Sequence, residues 1–181
     1  MGAGKSTIGK KLAWYTGFRF IDLDNYIEAK LGCTVGAFFE RYGEAAFRRA
    51  ELEALREVIV AESGGGGAHT SAPESEAGKG LILSLGGGTV VTPECAALVK
   101  EHTRCVYLNC PKTVLLKRLS RNCDKRPLLA GKTPEELDAF VTALVAERES
   151  VYKDCAHITF YLDETRTLLR SIEELTDLVL K

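Results

Sequence analysis

A glycine-rich turn at the start of the chain restricts the possible folds more than any other segment. It reads Gly-Ala-Gly-Lys-Ser-Thr over residues 2–7 and matches the end of the G-x-x-x-x-G-K-[ST] pattern. In that pattern the glycines let backbone N–H groups surround phosphates, and the following helix adds its partial positive charge. Lys5 would contact the β- and γ-phosphates, and Ser6 would bind Mg²⁺. An ordinary glycine-rich segment is the alternative, but the turn leads directly into a helical pattern and therefore predicts a nucleotide site.

The strand that normally leads into such a turn does not precede it in the sequence. The first Gly of the pattern would lie before Met1. Either the sequence begins at an internal Met of a longer protein, or the chain lacks the central strand of its sheet. If that strand is missing, we expect the strands that begin near residues 81 and 104 to flank a gap.

Helical and strand patterns alternate along the rest of the chain. We predict strands at residues 18–23, 81–85, 104–109 and 157–162. We predict helices at residues 4–16, 24–31, 34–62 with a break near Gly43, after Thr92-Pro93, 112–121, 134–153 and 167–180. This alternation predicts a parallel sheet covered by helices on both faces. Residues 63–80 are dominated by Gly, Ala and Ser and predict a flexible insertion.

Length and composition exclude several classes of protein. The 181 residues suit a single domain spanning residues 1–181. Lys plus Arg number 24 against 25 Asp plus Glu, so no basic excess favours nucleic acid, and no apolar run reaches the roughly 20 residues of a membrane helix. None of the six cysteines forms a C-x-x-C pair, which favours reduced thiols over a zinc site. We expect a cytoplasmic monomer without nucleic-acid or membrane partners.

Two acidic residues, Asp22 and Asp24, follow the first predicted strand. Because side chains alternate across a strand, we expect both carboxylates to point the same way. At the carboxyl end of a parallel strand they would face the ligand crevice; a pair of solvated acids in a turn is the alternative. The strand at residues 81–85 carries no carboxylate, so Asp22 is the candidate partner of a metal ion.

Two further patterns are weak when each is taken alone. Arg48 and Glu51 are three residues apart and can pair on one helix face, which would direct the guanidinium toward an acidic substrate; a surface ion pair explains the spacing better in isolation. Gly86-Gly87-Gly88 allows close approach of a ligand to the backbone, or forms a plain turn. None of the three histidines belongs to a motif, so no histidine base is predicted.

Taken in order, these motifs resemble the shikimate kinase family. The matching segments are Gly-Ala-Gly-Lys-Ser-Thr (2–7), Phe-Ile-Asp-Leu-Asp (20–24), Gly-Glu (43–44), Phe-Arg-x-x-Glu (47–51), Ser-Leu-Gly-Gly-Gly (84–88), Arg-Pro-Leu-Leu (126–129) and Arg-x-x-x-Tyr (148–152). The resemblance covers nearly the whole chain, apart from the 63–80 insertion and the missing first strand. It implies a P-loop NTPase fold of the nucleoside-monophosphate-kinase type, a three-layer α/β sandwich. It also implies that ATP phosphorylates the 3-hydroxyl of shikimate with the help of Mg²⁺.

The resemblance further implies roles for individual residues. The catalytic residues would be Lys5, Asp24 and Arg126, with Asp24 holding the reacting hydroxyl. The ATP contacts would be Gly2, Ala3, Gly4, Lys5, Ser6, Thr7, Arg121 and Arg126. The shikimate contacts would be Asp24, Phe39, Phe47, Arg48, Glu51, Gly87 and Arg148. Ser6 and Asp22 would hold Mg²⁺, residues 34–62 would form the substrate-binding helices, and residues 122–132 would form a lid.

Two other functions stay open on the sequence alone. The chain could be another small-molecule kinase of the same architecture, such as a gluconate kinase, although Arg48, Gly87 and Arg148 favour a carboxylated cyclic polyol. It could also be a non-catalytic relative that binds no ATP. The incomplete phosphate loop is the observation that favours this alternative. The adenine contacts near residues 163–167 stay open as well.

Overall fold

The computed structural model describes residues 2–63, 80–121, 129, 131–163 and 165–181. The strands are β1 (Arg19–Asp22), β2 (Leu81–Ser84), β3 (Val106–Asn109) and β4 (Ile158–Tyr161). The α-helices are α1 (Lys5–Thr16), α2 (Leu23–Leu31), α3 (Val35–Ser63), α4 (Pro93–His102), α5 (Lys112–Ser120), α6 (Pro134–Cys155) and α7 (Leu168–Leu180). A short 3-10 helix covers Thr89–Val91. The predicted helices and strands are confirmed, with ends that differ by at most about two residues.

The strands form two separate two-stranded sheets, and both are parallel. β1 pairs with β2, so that Phe20 lies opposite Ile82, and β3 pairs with β4, so that Leu108 lies opposite Phe160. In the part of the chain that the structure describes, no backbone hydrogen bond joins β2 to β3. The gap expected between these two strands is therefore confirmed.

Helices cover both faces of the two sheets. On one face, Ile8 of α1 and Ile172 of α7 belong to a cluster that includes Ile82. On the other face, Leu55 of α3 and Val99 of α4 belong to a cluster with Leu83. Because Ile82 and Leu83 are consecutive in β2, they point to opposite faces. The arrangement is the expected three-layer α/β sandwich.

Glycines determine where α1 begins and how closely it packs. Gly4, the N-cap of α1, has φ 89°, and Gly17 ends the helix with φ 71°, both in the left-handed region that favours Gly. Gly9 packs against the sheet so tightly that a Cβ there would lie 2.7 Å from Cε2 of Phe20. The first turn of α1 is thereby held at the carboxyl ends of β1 and β2.

Helix α3 bends at Gly43, whose φ of 77° and ψ of 171° are not helical. This confirms the predicted break. Leu129, the last residue of the Arg-Pro-Leu-Leu segment, is fully buried between α5 and α6. Residues 64–79 of the predicted insertion, and residues 122–128 and 130 of the predicted lid, lie outside the described residues. Within the described chain, no helix combines the length and apolar character that a membrane span requires.

Candidate active site

The glycine-rich turn is built to receive an anion. Gly2 and Gly4 both have positive φ, 78° and 89°, and the first N–H groups of α1 have no acceptor within the helix. Arg118 of α5 donates from Nη1 to the carbonyls of Gly2 at 3.3 Å and Ala3 at 3.0 Å. The turn is thus fixed by a cation, with Lys5 at the helix start. Backbone donors and positive charge together match the chemistry of a phosphate chain.

Ser6 and Asp22 meet at the carboxyl end of β1. The Ser6 hydroxyl donates to Oδ2 of Asp22 at 2.6 Å, and Oγ of Ser84, at the end of β2, lies 3.5 Å away. Among the described residues, no group of three or more His, Cys, Asp or Glu side chains could hold a metal ion. The pair nevertheless fits Mg²⁺, which prefers oxygen ligands and takes its remaining ligands from water and substrate phosphates.

Asp24 is not on the strand with Asp22, so the alternation argument for the two carboxylates was wrong. β1 ends at Asp22, and Asp24 lies in the first turn of α2, where Asp22 is the N-cap and accepts from the N–H of Asn25 at 3.5 Å. The Asp22 side chain accepts a hydrogen bond from an N–H group at the start of α2. The strand therefore ends at Asp22, whereas the alternation argument requires it to continue to Asp24.

The environment of Asp24 is unfavourable to its charge. Burial raises the pKa of Asp24, and the nearby carboxylates of Asp22 and Glu51 raise it further, while the Lys5 ammonium opposes them. A Cβ on Gly86 would lie 2.9 Å from Oδ1 of Asp24, so a larger residue at this position would displace the carboxylate. A partly buried carboxylate with a raised pKa is a better proton acceptor than a solvated one.

Arg48 is held in a defined direction by two carboxylates. Its Nη1 donates to Oε2 of Glu51 at 2.7 Å, and its Nη2 to Oε1 of Glu44 at 3.1 Å. Glu51 is only 1% exposed and also accepts from the Thr89 hydroxyl at 2.6 Å. Thus the Arg48–Glu51 pair is partly buried and hydrogen-bonded, and the surface ion pair is excluded. The Gly88 Cα packs against the guanidinium, because a Cβ there would lie 2.6 Å from Nη2.

Arg148 reaches the same glycine segment from α6. Its Nη1 donates to the Gly87 carbonyl at 3.3 Å, and the Tyr152 hydroxyl donates to the same carbonyl. The Nε of Arg148 is buried and has no hydrogen-bond acceptor among the described residues; Oε1 of Glu147 lies 3.8 Å away. A buried cationic donor without an acceptor is costly unless a ligand supplies one.

The two predicted aromatic residues lie together on α3. The rings of Phe39 and Phe47 are 4.6 Å apart between centroids, and the guanidinium of Arg48 lies 5.6 Å from the Phe47 ring centroid. Phe47 is 3% exposed and belongs to the core, whereas Phe39 is partly buried beside it. The Phe47 ring therefore packs against Arg48, and Phe39 packs against Phe47.

A cavity of about 380 Å³ opens beside the glycine-rich turn. It is bordered by Gly4 and Thr7 on one side and by Arg118, Asp163 and Arg166 on the other. Arg121, which the family resemblance implied as an ATP contact, is the exposed C-cap residue of α5 and does not border this cavity. Arg118, one turn earlier, does. Arg126 lies outside the described residues.

Sequence reasoning gave no role to three residues that this site uses. Thr89 follows the glycine run and Tyr152 lies four residues after Arg148, so their positions beside motif residues were available signals. Arg118 had no such signal, because its contact with Gly2 and Ala3 joins segments more than 100 residues apart.

Comparison with known proteins adds independent findings. The sequence model of the family described as "Shikimate kinase" matches residues 1–79 and 72–179. A shikimate kinase of Chlorobium chlorochromatii is 36% identical over 180 residues, which cover 97% of this chain and 84% of that protein.

Solved structures agree. A shikimate kinase from Bacteroides thetaiotaomicron superposes with a TM-score of 0.82 at 31% identity, covering 100% of this chain and 94% of that one. A shikimate kinase from Acinetobacter baumannii, solved in complex with shikimate, gives a TM-score of 0.79 at 30% identity, covering 99% and 88%.

Proposed function

This chain belongs to the shikimate kinase family, and on that basis we propose which of its residues bind each substrate and which take part in catalysis. The enzyme transfers the γ-phosphoryl group of ATP to the 3-hydroxyl of shikimate, which gives shikimate 3-phosphate and ADP. Gluconate phosphorylation and a non-catalytic role are therefore not favoured.

The proposal with the strongest single support concerns the part of the site that binds the carboxylate of shikimate. The buried Nε of Arg148 has no hydrogen-bond acceptor in the described part of the chain, and a carboxylate of shikimate would supply one. Arg48, aimed by Glu51, would provide the second guanidinium. Both cations meet adjacent residues of the glycine run, since Arg148 contacts Gly87 and Arg48 packs on Gly88. Two guanidinium groups match a carboxylate in charge and in planar geometry.

Gly87 would contact shikimate through its backbone. Its carbonyl already accepts hydrogen bonds from Arg148 and Tyr152, so the group left for the substrate is its N–H. The ring pair Phe39 and Phe47 would border the apolar side of the substrate ring, as the family resemblance implies.

ATP would bind along the glycine-rich turn. The backbone N–H groups of residues 2–7 and the Lys5 ammonium would hold the phosphates. The cavity of about 380 Å³ beside Gly4 and Thr7 has a volume typical of a small-ligand site, and it supports a place for the nucleoside. There Arg118 is better positioned than Arg121 to contact the base.

Mg²⁺ would be held by the Ser6 hydroxyl and, directly or through water, by Asp22. When bound, the ion neutralises charge on the β- and γ-phosphates. The short Ser6–Asp22 hydrogen bond supports this assignment because both are oxygen ligands, already adjacent at the end of β1. The ion would also lower the electrostatic penalty for ionised Asp24 beside Asp22.

Asp24 would orient the 3-hydroxyl and accept its proton as the oxygen attacks phosphorus. Lys5 would stabilise the charge that develops on the transferred group. Arg126, which lies outside the described residues, would join it when residues 122–132 close over the site and exclude water. We expect Arg126→Ala to reduce kcat more than it weakens shikimate binding, as steady-state kinetics would measure.

A single assay tests the function and the acid-binding proposal together. ADP release is measured with ATP, Mg²⁺ and either shikimate or its methyl ester, which keeps the ring and hydroxyls but removes the negative charge. We expect turnover with shikimate and a kcat/KM for the ester lower by about tenfold to a hundredfold, from the loss of one charge-assisted interaction worth about 1.5–3 kcal/mol. Equal kcat/KM values would contradict the roles of Arg48 and Arg148 without affecting the kinase assignment.

A further inference from the structure

One carbonyl of the glycine run is shared by two side chains of α6. The Gly87 carbonyl accepts a hydrogen bond from the Tyr152 hydroxyl at 2.5 Å and another from Nη1 of Arg148 at 3.3 Å. Arg148 and Tyr152 are four residues apart in α6, so they lie on the same face of the helix. A carbonyl oxygen has two lone pairs, and these two donors occupy both.

The two hydrogen bonds to Gly87 differ in strength. A distance of 2.5 Å lies within the range of O–H···O bonds, whereas 3.3 Å lies beyond the usual range of N–H···O bonds. Tyr152 therefore satisfies the carbonyl, and Arg148 adds little. The guanidinium of Arg148 can turn away from Gly87 without leaving this carbonyl unpaired.

Tyr152 itself is not a donor to the substrate. A tyrosine hydroxyl carries one proton, and here that proton is given to the Gly87 carbonyl. The buried Nε of Arg148, in contrast, has no acceptor among the residues that the structure describes. Of the two neighbours on α6, one is engaged with the backbone and the other has a donor to offer to a ligand.

Ring contacts keep the Tyr152 hydroxyl at Gly87. The ring centroids of Tyr152 and of Tyr107, on β3, are 5.4 Å apart with an interplanar angle of 42°. The Tyr152 ring also packs against the core cluster that contains Leu55 and Val99. Because these contacts restrict the rotamers of Tyr152, little conformational entropy is lost when its hydroxyl binds the Gly87 carbonyl.

We propose that Tyr152 is a positioning residue for shikimate binding, whose hydroxyl occupies the Gly87 carbonyl and so leaves the Arg148 guanidinium available to the substrate carboxylate. The inference rests on the proposed role of Arg148 in binding that carboxylate. Without the hydroxyl, Arg148 is the donor that remains for the carbonyl, and a partly buried carbonyl without a donor is costly. The carbonyl and the substrate carboxylate then compete for the same guanidinium.

Tyr152→Phe tests the proposal, because it keeps the ring and removes the hydroxyl. ADP release at saturating ATP gives kcat/KM for shikimate and for its uncharged methyl ester. We expect kcat/KM for shikimate to fall by about threefold to tenfold, through KM rather than kcat, and that for the ester to change by less than about twofold. The preference for shikimate over the ester then falls by nearly the same factor, whereas a general loosening of the fold lowers both values alike.

Tyr26→Phe is the matched control. The Tyr26 hydroxyl donates to Oε2 of Glu57 at 3.1 Å, a partner outside the glycine run, and we expect its loss to leave the preference unchanged. Tyr107→Leu approaches the site by a second route, since it keeps the Tyr152 hydroxyl but removes the ring contact. We expect the preference to fall by about twofold or more. Circular dichroism verifies that the variants are folded, and if Tyr152→Phe is not, an unchanged preference in Tyr107→Leu overturns the proposal.

A double-mutant cycle shows whether Tyr152 acts through Arg148. Arg148→Lys keeps the charge but removes the planar guanidinium. In that background we expect Tyr152→Phe to change the preference by less than about twofold, because coupled residues have non-additive effects. If Tyr152→Phe had its full effect in the Arg148→Lys background as well, it would act by another route and the proposal would be wrong.

The unmodified chain separates this inference from the proposal on which it rests. If that chain does not prefer shikimate to the methyl ester, Arg148 does not bind the carboxylate and both proposals fail. If it does, and Tyr152→Phe keeps the full preference, only the role of Tyr152 is overturned. An equal loss of kcat/KM for shikimate and the ester in Tyr152→Phe would also overturn that role, because it indicates a structural effect alone.

Discussion

The buried hydroxyl of Thr89 gives the sharpest test of how the site is held together. Thr89 is fully buried, and its Oγ1 donates to Oε1 of Glu51 at 2.6 Å, while the other oxygen of Glu51 accepts from Arg48 at 2.7 Å. Thr89→Val keeps the shape of the side chain and removes this donor. A hydrogen bond to a charged group is worth about 1.5–3 kcal/mol, so we expect a loss of stability of that size.

The expected loss corresponds to a fall of about 3–12 °C in the melting temperature of a chain of this length. Without the Thr89 donor, Glu51 is free to rotate and no longer fixes Arg48, so the KM for shikimate should rise while the KM for ATP stays unchanged. Thermal unfolding followed by circular dichroism and steady-state kinetics with each substrate varied in turn measure the two effects.

A matched control separates this role from the general cost of removing a hydroxyl. The Thr103 hydroxyl also makes a 2.6 Å hydrogen bond, but to the neutral carbonyl of Val99 and away from the site. Thr103→Val should cost only about 0.5–1.5 kcal/mol and leave both KM values unchanged. If Thr89→Val has the same stability as Thr103→Val and a normal KM for shikimate, Glu51 does not depend on Thr89 and the reasoning fails.

Further substitutions and the pH dependence of activity test other parts of the site. Asp24→Asn should reduce kcat by about 10²–10⁴-fold, typical of a lost general base, with ATP affinity nearly unchanged by calorimetry; near-normal turnover would contradict the role of Asp24. Arg48→Lys should raise the KM for shikimate well above any effect on ATP, because Lys lacks the planar fork; equal losses for both substrates would indicate a folding defect instead. Activity should fall as pH decreases through the raised pKa of Asp24, which must be ionised to accept a proton. Because the charge of Glu51 contributes to that rise, Glu51→Gln should move the acidic limb of the pH–kcat profile to lower pH, whereas Glu44→Gln should not move it.

The sequence predicted the elements of the fold because their periodicities are long and clear. The break at Gly43 was predictable because Gly tolerates the positive φ that ends a helix there. The gap between β2 and β3 was predictable from the incomplete phosphate pattern and the family resemblance together.

Errors and omissions arose where one local interaction or one distant contact decides the outcome. The N-cap role of Asp22 starts α2 at Leu23, which places Asp24 on a helix; strand alternation could not reveal this. The contact of Arg118 with Gly2 and Ala3 depends on how α5 packs beside α1, and no local pattern contains that information. The same holds for the unpartnered Nε of Arg148, since burial is a property of the folded chain.

The separation of the two sheets also affects how the molecule unfolds. A two-stranded sheet is marginal on its own, and among the residues that the structure describes no backbone ladder connects β1–β2 with β3–β4. Side-chain packing connects them instead, in part through Ile8 and Leu12 of α1, which share one cluster with Ile82 and with Phe160. Cooperativity between the two halves therefore depends in part on α1, the helix whose first turn would hold the nucleotide phosphates. A nucleotide that orders this turn stabilises the packing that links both halves, so occupancy of the site and global cooperativity are thermodynamically coupled.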